Sequence, residues 1–151
     1  SSPHFSPDSR RVAYGAMKAQ RMFIVVDAKK SEEYAIVGGV SREDIAFSPD
    51  SRQVAYVASN KGEQFVVTGN KKGEVSGSVD GPLVFSPDGQ QVAYRARGPS
   101  NYYKWFVVVG NKKSEEFDHV WPRLVFNADS TKVAFGALKG DELWWKVMDV
   151  R

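Results

Sequence analysis

The sequence predicts an all-β protein made of four copies of one repeat, and three observations lead to this prediction. A ten-residue pattern, an aromatic residue and a turn followed by a Val-Ala-aromatic run, occurs four times in the 151 residues. The copies begin 42, 38 and 41 residues apart, at Phe5, Phe47, Phe85 and Phe126. A second short apolar block follows each copy, and no stretch of credible length has the period of an amphipathic helix. Short strands that repeat at roughly 40 residues indicate a β-propeller, whose blades are four-stranded antiparallel sheets.

Each repeat divides into four predicted strands, which we label A to D in chain order. Strand A ends in Phe-Ser-Pro-Asp, whose proline predicts a tight turn into strand B, the Val-Ala-Tyr run. Strand C is the second block, for example Phe106 to Val109, and strand D follows a hairpin turn such as Gly110-Asn111. Strand C is almost continuously apolar, so we expect neighbouring sheets to cover both of its faces.

One propeller, or a segment of one, is expected over residues 1–151, with blades at about 1–41, 42–81, 82–122 and 123–151. The last blade lacks its outer strand D, because the sequence stops at Arg151 after strand C. An open arc of four blades exposes two apolar end faces. Three arrangements stay open: the blades close on themselves, two chains form an eight-bladed ring, or the chain is a piece of a longer protein. We expect the dimeric ring, since a regular repeat can reuse its blade-to-blade contact between two copies.

The repeat resembles the TolB-like, WD-like β-propeller repeat, whose hallmark is Phe-Ser-Pro-Asp-Gly before a Val/Ile-Ala-Tyr/Phe strand. Three copies keep Phe-Ser-Pro-Asp, only Phe85 to Gly89 keeps the glycine, and the fourth copy, from Phe126 to Asp129, reads Phe-Asn-Ala-Asp. The resemblance covers nearly the whole chain, but its motif is a structural turn and implies no active-site residue. It implies an interaction platform, a periplasmic component or a domain attached to a peptidase.

The composition excludes several kinds of chemistry. There is no cysteine, which excludes disulfides, thiolate metal sites and cysteine nucleophiles. The two histidines, His4 and His119, lie far apart in the sequence, and no Gly-x-Ser-x-Gly motif occurs. We therefore expect no catalysis, metal or cofactor, and we expect His119 to lie in a connecting loop. No apolar run approaches the roughly 18 residues of a membrane-spanning helix, so a membrane partner is not expected.

Charged residues are concentrated in the predicted turns. The net charge of +3 and the pI near 9.1 suggest nucleic acid as a partner. Three lysine pairs, Lys29-Lys30, Lys71-Lys72 and Lys112-Lys113, follow the C–D turns, but acidic residues of about equal number share that face. Phosphate binding requires a field of one sign, so we do not expect nucleic acid to bind. We expect the aspartates of the A–B turns to cap those turns and not to bind calcium; they are Asp8, Asp50, Asp88 and Asp129.

The opposite face carries the loops that differ among the copies, and the third B–C loop is the longest. Aromatic residues and arginine anchor many interfaces, and loops on a rigid scaffold commonly carry function. The predicted binding residues, from this loop and from the D–A connection after it, are Arg95, Arg97, Tyr102, Tyr103 and Trp121. We expect Trp105, and Trp144 or Trp145, to fill blade interfaces.

These features predict a non-catalytic scaffold that binds a protein, a peptide or another ligand. One alternative is the propeller segment of a larger enzyme such as a peptidase. Another is an engineered or fragmentary repeat array with no dedicated ligand.

Overall fold

A computed structural model describes residues 2–37 and 44–151. Sixteen β-strands lie within these ranges. Their bounds are β1 His4–Phe5, β2 Val12–Lys18, β3 Arg21–Val26, β4 Lys29–Lys30, β5 Ile36–Val37, β6 Ile45–Phe47, β7 Val54–Asn60, β8 Glu63–Thr68, β9 Lys71–Lys72, β10 Ser78–Phe85, β11 Val92–Arg97, β12 Trp105–Val109, β13 Lys112–Lys113, β14 His119–Phe126, β15 Lys132–Lys139 and β16 Glu142–Asp149. The described ranges contain no helix long and apolar enough to cross a membrane.

The strands form four antiparallel sheets, one for each repeat, which we number 1 to 4 along the chain. Sheet 1 has the order β1-β2-β3-β4, and sheet 3 has the order β10-β11-β12-β13. In sheet 2, β5 and β6 both pair with β7, which is followed by β8 and β9. Sheet 4 contains only β14-β15-β16, so its described strands are A, B and C. The prediction of an all-β fold with one antiparallel sheet per repeat is confirmed.

Strand A is longer than the sequence indicated. In sheets 3 and 4 it begins at Ser78 and His119, before the blade boundaries expected near residues 82 and 123. The pairing of β10 and of β14 shifts register in mid-strand, and each irregularity contains a proline, Pro82 or Pro122. A proline cannot donate to the ladder and is tolerated at such a bulge, so strand A continues past it.

The A–B turns are built as the sequence predicts. The Ser6 hydroxyl donates to Asp8 at 2.6 Å, and the Arg10 N–H donates to the same carboxylate at 3.0 Å. The residue after the aspartate has positive φ in every copy, namely Ser9, Ser51, Gly89 and Ser130. Hydrogen bonds from Ser6 and Arg10 hold the pKa of Asp8 below its usual value. The expected role of the aspartate as a turn cap is confirmed here, and Ser48, Asp50 and Arg52 repeat the arrangement in the second copy.

Neighbouring sheets pack face to face through three apolar clusters, between sheets 1 and 2, 2 and 3, and 3 and 4. Two of these contacts include an aromatic residue that follows strand D. Tyr34 contacts Tyr56 with ring centroids 6.2 Å apart, and Phe117 contacts Phe135 at 5.8 Å. Between sheets 2 and 3 the equivalent residue is Ser76, which forms the same bridge to strand C.

Strand C is covered on both faces only inside the stack. The apolar residues of β8 and β12 are almost all buried, as predicted. In β16 of sheet 4 the exposed fraction is 45% for Trp144 and 85% for Trp145. Among the described residues, neither tryptophan is buried in a contact between sheets. Sheet 4 has no neighbour on its outer face among the described residues, so that face stays in contact with solvent.

Candidate functional site

The third B–C loop, residues 98–104, is held against the connection that precedes β10. Seven residues separate the paired residues Arg97 and Trp105, whereas four separate the equivalent pair in sheet 2. The Gly77 N–H donates to the Arg97 carbonyl at 2.9 Å, and the Tyr102 hydroxyl donates to the Gly77 carbonyl at 3.1 Å. A Cβ atom on Gly77 would lie 2.5 Å from the Gly98 carbonyl oxygen. The close approach therefore requires glycine at position 77.

Two arginines of β11 stack on one tryptophan of β12. Arg97 and Trp105 are cross-strand partners, and Arg95 lies two residues earlier, so all three side chains share the face that packs on sheet 4. The guanidinium carbons of Arg95 and Arg97 lie 4.6 and 4.7 Å from the Trp105 ring centroid. That of Arg97 also lies 6.0 Å from the Tyr102 ring. These distances are within the range of cation–π attraction.

The stack continues onto sheet 4 through His119. This residue is the first of β14, so the expectation that it lies in a connecting loop is wrong. Its ring contacts Trp105 at 5.4 Å and Trp121 at 5.0 Å, edge to face in both cases. Arg95 donates to the Val120 carbonyl at 2.8 Å and so joins the two sheets. The histidine that sequence reasoning set aside therefore connects the predicted residues of sheet 3 to Trp121.

Local acidic partners fix the charged members of the cluster. Arg97 forms an ion pair with Asp80 at 3.5 Å and donates to the Ser78 hydroxyl at 3.0 Å. At the end of the loop Lys104 donates to Asp118, and this hydrogen bond holds the pKa of Asp118 below its usual value. The arginines are therefore held in place within the protein, while the aromatic edges of the cluster face solvent.

The structure brings together four of the five predicted residues. Arg95, Arg97, Tyr102 and Trp121 belong to one chain of ring and cation contacts that passes through Trp105 and His119. Tyr103 stands apart on the solvent side of the loop, 88% exposed, compared with 48% for Tyr102 and 40% for Trp121. Its N–H bonds to the Asn101 side chain at 3.2 Å, which fixes its backbone. The result is an anchored loop with a protruding tyrosine.

Two clefts lie near the C–D turns, away from this loop. The larger, about 750 Å³, lies between sheets 2 and 3 and is lined by amide side chains including Gln53, Gln91 and Asn111. The smaller, about 320 Å³, lies between sheets 1 and 2 and is lined by residues that include Arg11 and Lys72. Neither is lined by a residue of the third B–C loop. The aromatic cluster is therefore separate from both clefts.

Acidic partners neutralise several cations near the C–D turns. Lys72 lies 3.1 Å from Glu32, Arg11 lies 2.6 Å from Asp27, and Lys30 forms an ion pair with Glu33. The interleaved charges expected from the sequence are thus in contact. That nucleic acid is not a partner stays a prediction.

Three solved structures match almost the whole chain. TolB from Acinetobacter baumannii matches with a TM-score of 0.52 and 19% identity, over 99% of this chain and 40% of that one. The β-propeller domain of the Trilobed protease from Pyrococcus furiosus gives a TM-score of 0.57 and 16% identity, over 97% of this chain and 52% of that one. Hydrazine synthase of Kuenenia stuttgartiensis gives a TM-score of 0.50 and 14% identity, over 99% of this chain and 50% of that one.

The four sheets and these matches together define a TolB-like β-propeller fold, and at this identity they show the fold alone. The chain spans 40% to 52% of the length of the three structures. No protein-family model matches the sequence, and no curated protein matches it either.

Proposed function

We propose that the chain is a non-catalytic propeller scaffold that binds a peptide or protein segment on the aromatic cluster at the third B–C loop. The observation that carries the proposal is Tyr103, which is 88% exposed on a loop fixed beneath it by the hydrogen bond from Tyr102 to Gly77. A large exposed aromatic ring on a fixed backbone loses little conformational entropy when a partner covers it.

The neighbouring residues define what such a partner contributes. Apolar side chains of the partner pack against Tyr103 and the exposed parts of Tyr102 and Trp121, which together form an aromatic patch. Carbonyl or carboxylate oxygens accept hydrogen bonds from Arg97, whose side chain is 32% exposed beside Asp80. Because Arg97 is already positioned by Asp80 and Ser78, it needs no rearrangement to make these bonds.

In this proposal His119 has a structural role. It is packed edge to face between Trp105 and Trp121, where it serves as an aromatic spacer that supports the surface.

A displayed library of random dodecapeptides tests the proposal. Peptides selected on the wild-type chain are measured by calorimetry against Tyr103→Ala, Arg97→Ala and the matched control Lys61→Ala. Lys61 occupies the B–C turn of the second copy, is exposed and lies outside the cluster. We expect affinity to fall at least about 10-fold in the first two variants, the usual effect of losing an interface anchor, and to stay unchanged in the control.

Two results would overturn the proposal. The first is selected peptides that bind Tyr103→Ala and wild type equally. The second is a library that yields no binder for the wild-type chain, the outcome expected of a repeat array with no dedicated ligand.

A second candidate function is the propeller part of a larger enzyme. It is favoured by the match to the propeller domain of a protease, of which this chain covers 52%. The sequence of the encoding gene distinguishes the two, because a hydrolase domain in the same reading frame supports the enzyme and its absence supports the scaffold.

A further inference from the structure

The two ends of the stack present apolar faces of different composition. We call the face of a sheet that packs on the following sheet its leading face, and the opposite one its trailing face. The leading face of sheet 4 carries Val125, Leu143, Trp145 and Val147, which are 47% to 85% exposed. The trailing face of sheet 1 carries Phe5 and Tyr14, 69% and 37% exposed, beside the half-buried Phe23 and Val25.

The exposed residues of both end faces have equivalents in the other sheets, and those equivalents are buried. Tyr14 corresponds to Tyr56, Tyr94 and Phe135, which are at most 5% exposed against the preceding sheet. Trp145 corresponds, through the same strand register, to Ile24, Val66 and Val107, which are at most 3% exposed against the following sheet. The two exposed faces are therefore the two halves of a contact that the chain already makes three times.

We propose that the trailing face of sheet 1 docks on the leading face of sheet 4 of a second copy of this chain, so that two chains close one ring. The interface between copies reproduces the internal sheet-to-sheet contact, with Trp145 of one copy covered by sheet 1 of the other. In a two-fold ring this contact is made twice.

The A–B turns of neighbouring sheets are joined by hydrogen bonds. The Asp8 N–H donates to the Ser51 hydroxyl at 3.2 Å, and the Asp88 N–H donates to the Ser130 hydroxyl at 3.2 Å, both between neighbouring sheets. Ser51 and Ser130 are buried, whereas Ser9, at the same position of sheet 1, is exposed. The missing donor for Ser9 is then the Asp129 N–H of the second copy.

The 151 residues cover 52% of the propeller domain of the Trilobed protease, so two copies supply about as much chain as that one domain. Two identical contacts cover all four apolar end faces of the pair.

The first test is the mass of the purified 151-residue chain in solution. Light scattering at about 50 µM, a concentration at which a standard-size interface is populated, is expected to give twice 16.8 kDa. Trp145→Glu places a charge in the contact and is expected to give monomer, because loss of a central anchor weakens an interface at least about 30-fold. Tyr103→Ala, which lies outside the contact, is expected to stay dimeric. A monomeric wild type, or an assembly larger than two chains, overturns the proposal.

The second test fixes the orientation of the two copies and uses the absence of native cysteine. Inside the chain, a Cβ atom on Gly89 would lie 3.5 Å from the Ser48 Cβ, the separation found in disulfides. The equivalent positions at the open ends are Asn127 and Ser9. A mixture of Asn127→Cys and Ser9→Cys chains is expected to form a disulfide-linked pair in air, while either variant alone is not. Linkage of Ser9→Cys to itself, or no linkage in the mixture, contradicts the proposed docking.

These tests are independent of the peptide proposal. Trp145→Glu addresses the end faces and leaves Tyr103 untouched, so a monomer that still binds selected peptides separates the two.

Discussion

Replacing Tyr94 by phenylalanine removes one oxygen atom from the contact between sheets 2 and 3. Tyr94 is 2% exposed, and its hydroxyl has no hydrogen-bond partner in the part of the chain that the structure describes. The hydroxyl lies 3.5 Å from the Cβ position of Gly73. In sheet 4 the equivalent residue is Phe135, which packs on Phe117 without a hydroxyl. Tyr94→Phe therefore changes the third copy toward the fourth.

The expected gain follows from the cost of an unpaired polar group. Burying a hydroxyl without a partner costs about 1–3 kcal/mol, so Tyr94→Phe is expected to raise the free energy of unfolding by about 1 kcal/mol or more. For a chain of this size that raises Tm by about 2–4 °C. Urea unfolding followed by tryptophan fluorescence measures the change. An unchanged m value would show that wild type and variant expose the same amount of surface on unfolding.

The pH dependence gives a second readout. Burial raises the pKa of Tyr94 to about 12 from its ordinary value of 10.0. The pKa of Tyr94 is higher in the folded chain than in the unfolded chain, so deprotonation favours unfolding. The wild-type free energy of unfolding is therefore unaffected by this group below pH 10 and falls as the pH rises from 10 toward 12. Two pKa units correspond to about 3 kcal/mol, which sets the order of magnitude. The advantage of Tyr94→Phe over wild type is therefore expected to grow between pH 9 and pH 11.

Tyr34→Phe is the control in the contact between sheets 1 and 2. The hydroxyl of Tyr34 donates to the Glu32 carboxylate at 3.5 Å, so its removal is not expected to raise the free energy of unfolding. The reasoning fails if Tyr94→Phe stabilises the chain no more than Tyr34→Phe, or if its effect does not change with pH.

Two further predictions concern a glycine and an aspartate. Gly77→Ala is expected to displace the third B–C loop, since the new Cβ would lie 2.5 Å from the Gly98 carbonyl oxygen; backbone amide shifts should move at residues 98–104, and unchanged shifts there would contradict the geometry. Asp50→Asn should make stability less sensitive to acid. Hydrogen bonds from Ser48 and Arg52 lower the pKa of Asp50, so its contribution is present above the ordinary value of 3.8 and is lost as the pH falls below it. The difference between wild type and this variant should shrink from pH 6 to pH 3, and a constant difference would argue against it.

The shared positions of the repeat carried most of the information about the fold. The Ser-Pro-Asp turn and the Val-Ala-Tyr strand depend on local conformation and on burial, which a single sequence displays directly. The start of strand A was not predicted, because it depends on the pairing with strand B, which continues past Pro82 and Pro122. Likewise, the exposure of Trp145 depends on whether another sheet covers sheet 4.

The candidate site was predicted in part. Arg97 and Tyr102 could be named because the third loop is longer than the others. Trp105 was assigned to a blade interface, yet it also stacks under both arginines, a role that follows from its register opposite Arg97. The expectation that His119 lies in a connecting loop is wrong, because it is the first residue of β14. Its position between two tryptophans depends on how sheet 4 packs on sheet 3.

The central claim is that the shared positions build the stack of sheets while the third B–C loop binds. Replacing residues 98–104 by Asn-Lys-Gly-Glu, the four residues that join the equivalent pair in sheet 2, tests both halves at once. Shortening a surface loop by three residues changes the closure entropy by less than about 1 kcal/mol. We predict that the variant unfolds with nearly the wild-type midpoint and loses at least about 10-fold in affinity for peptides selected on the wild type. A variant whose unfolding midpoint lies clearly below that of the wild type, or that binds the peptides unchanged, would contradict the claim.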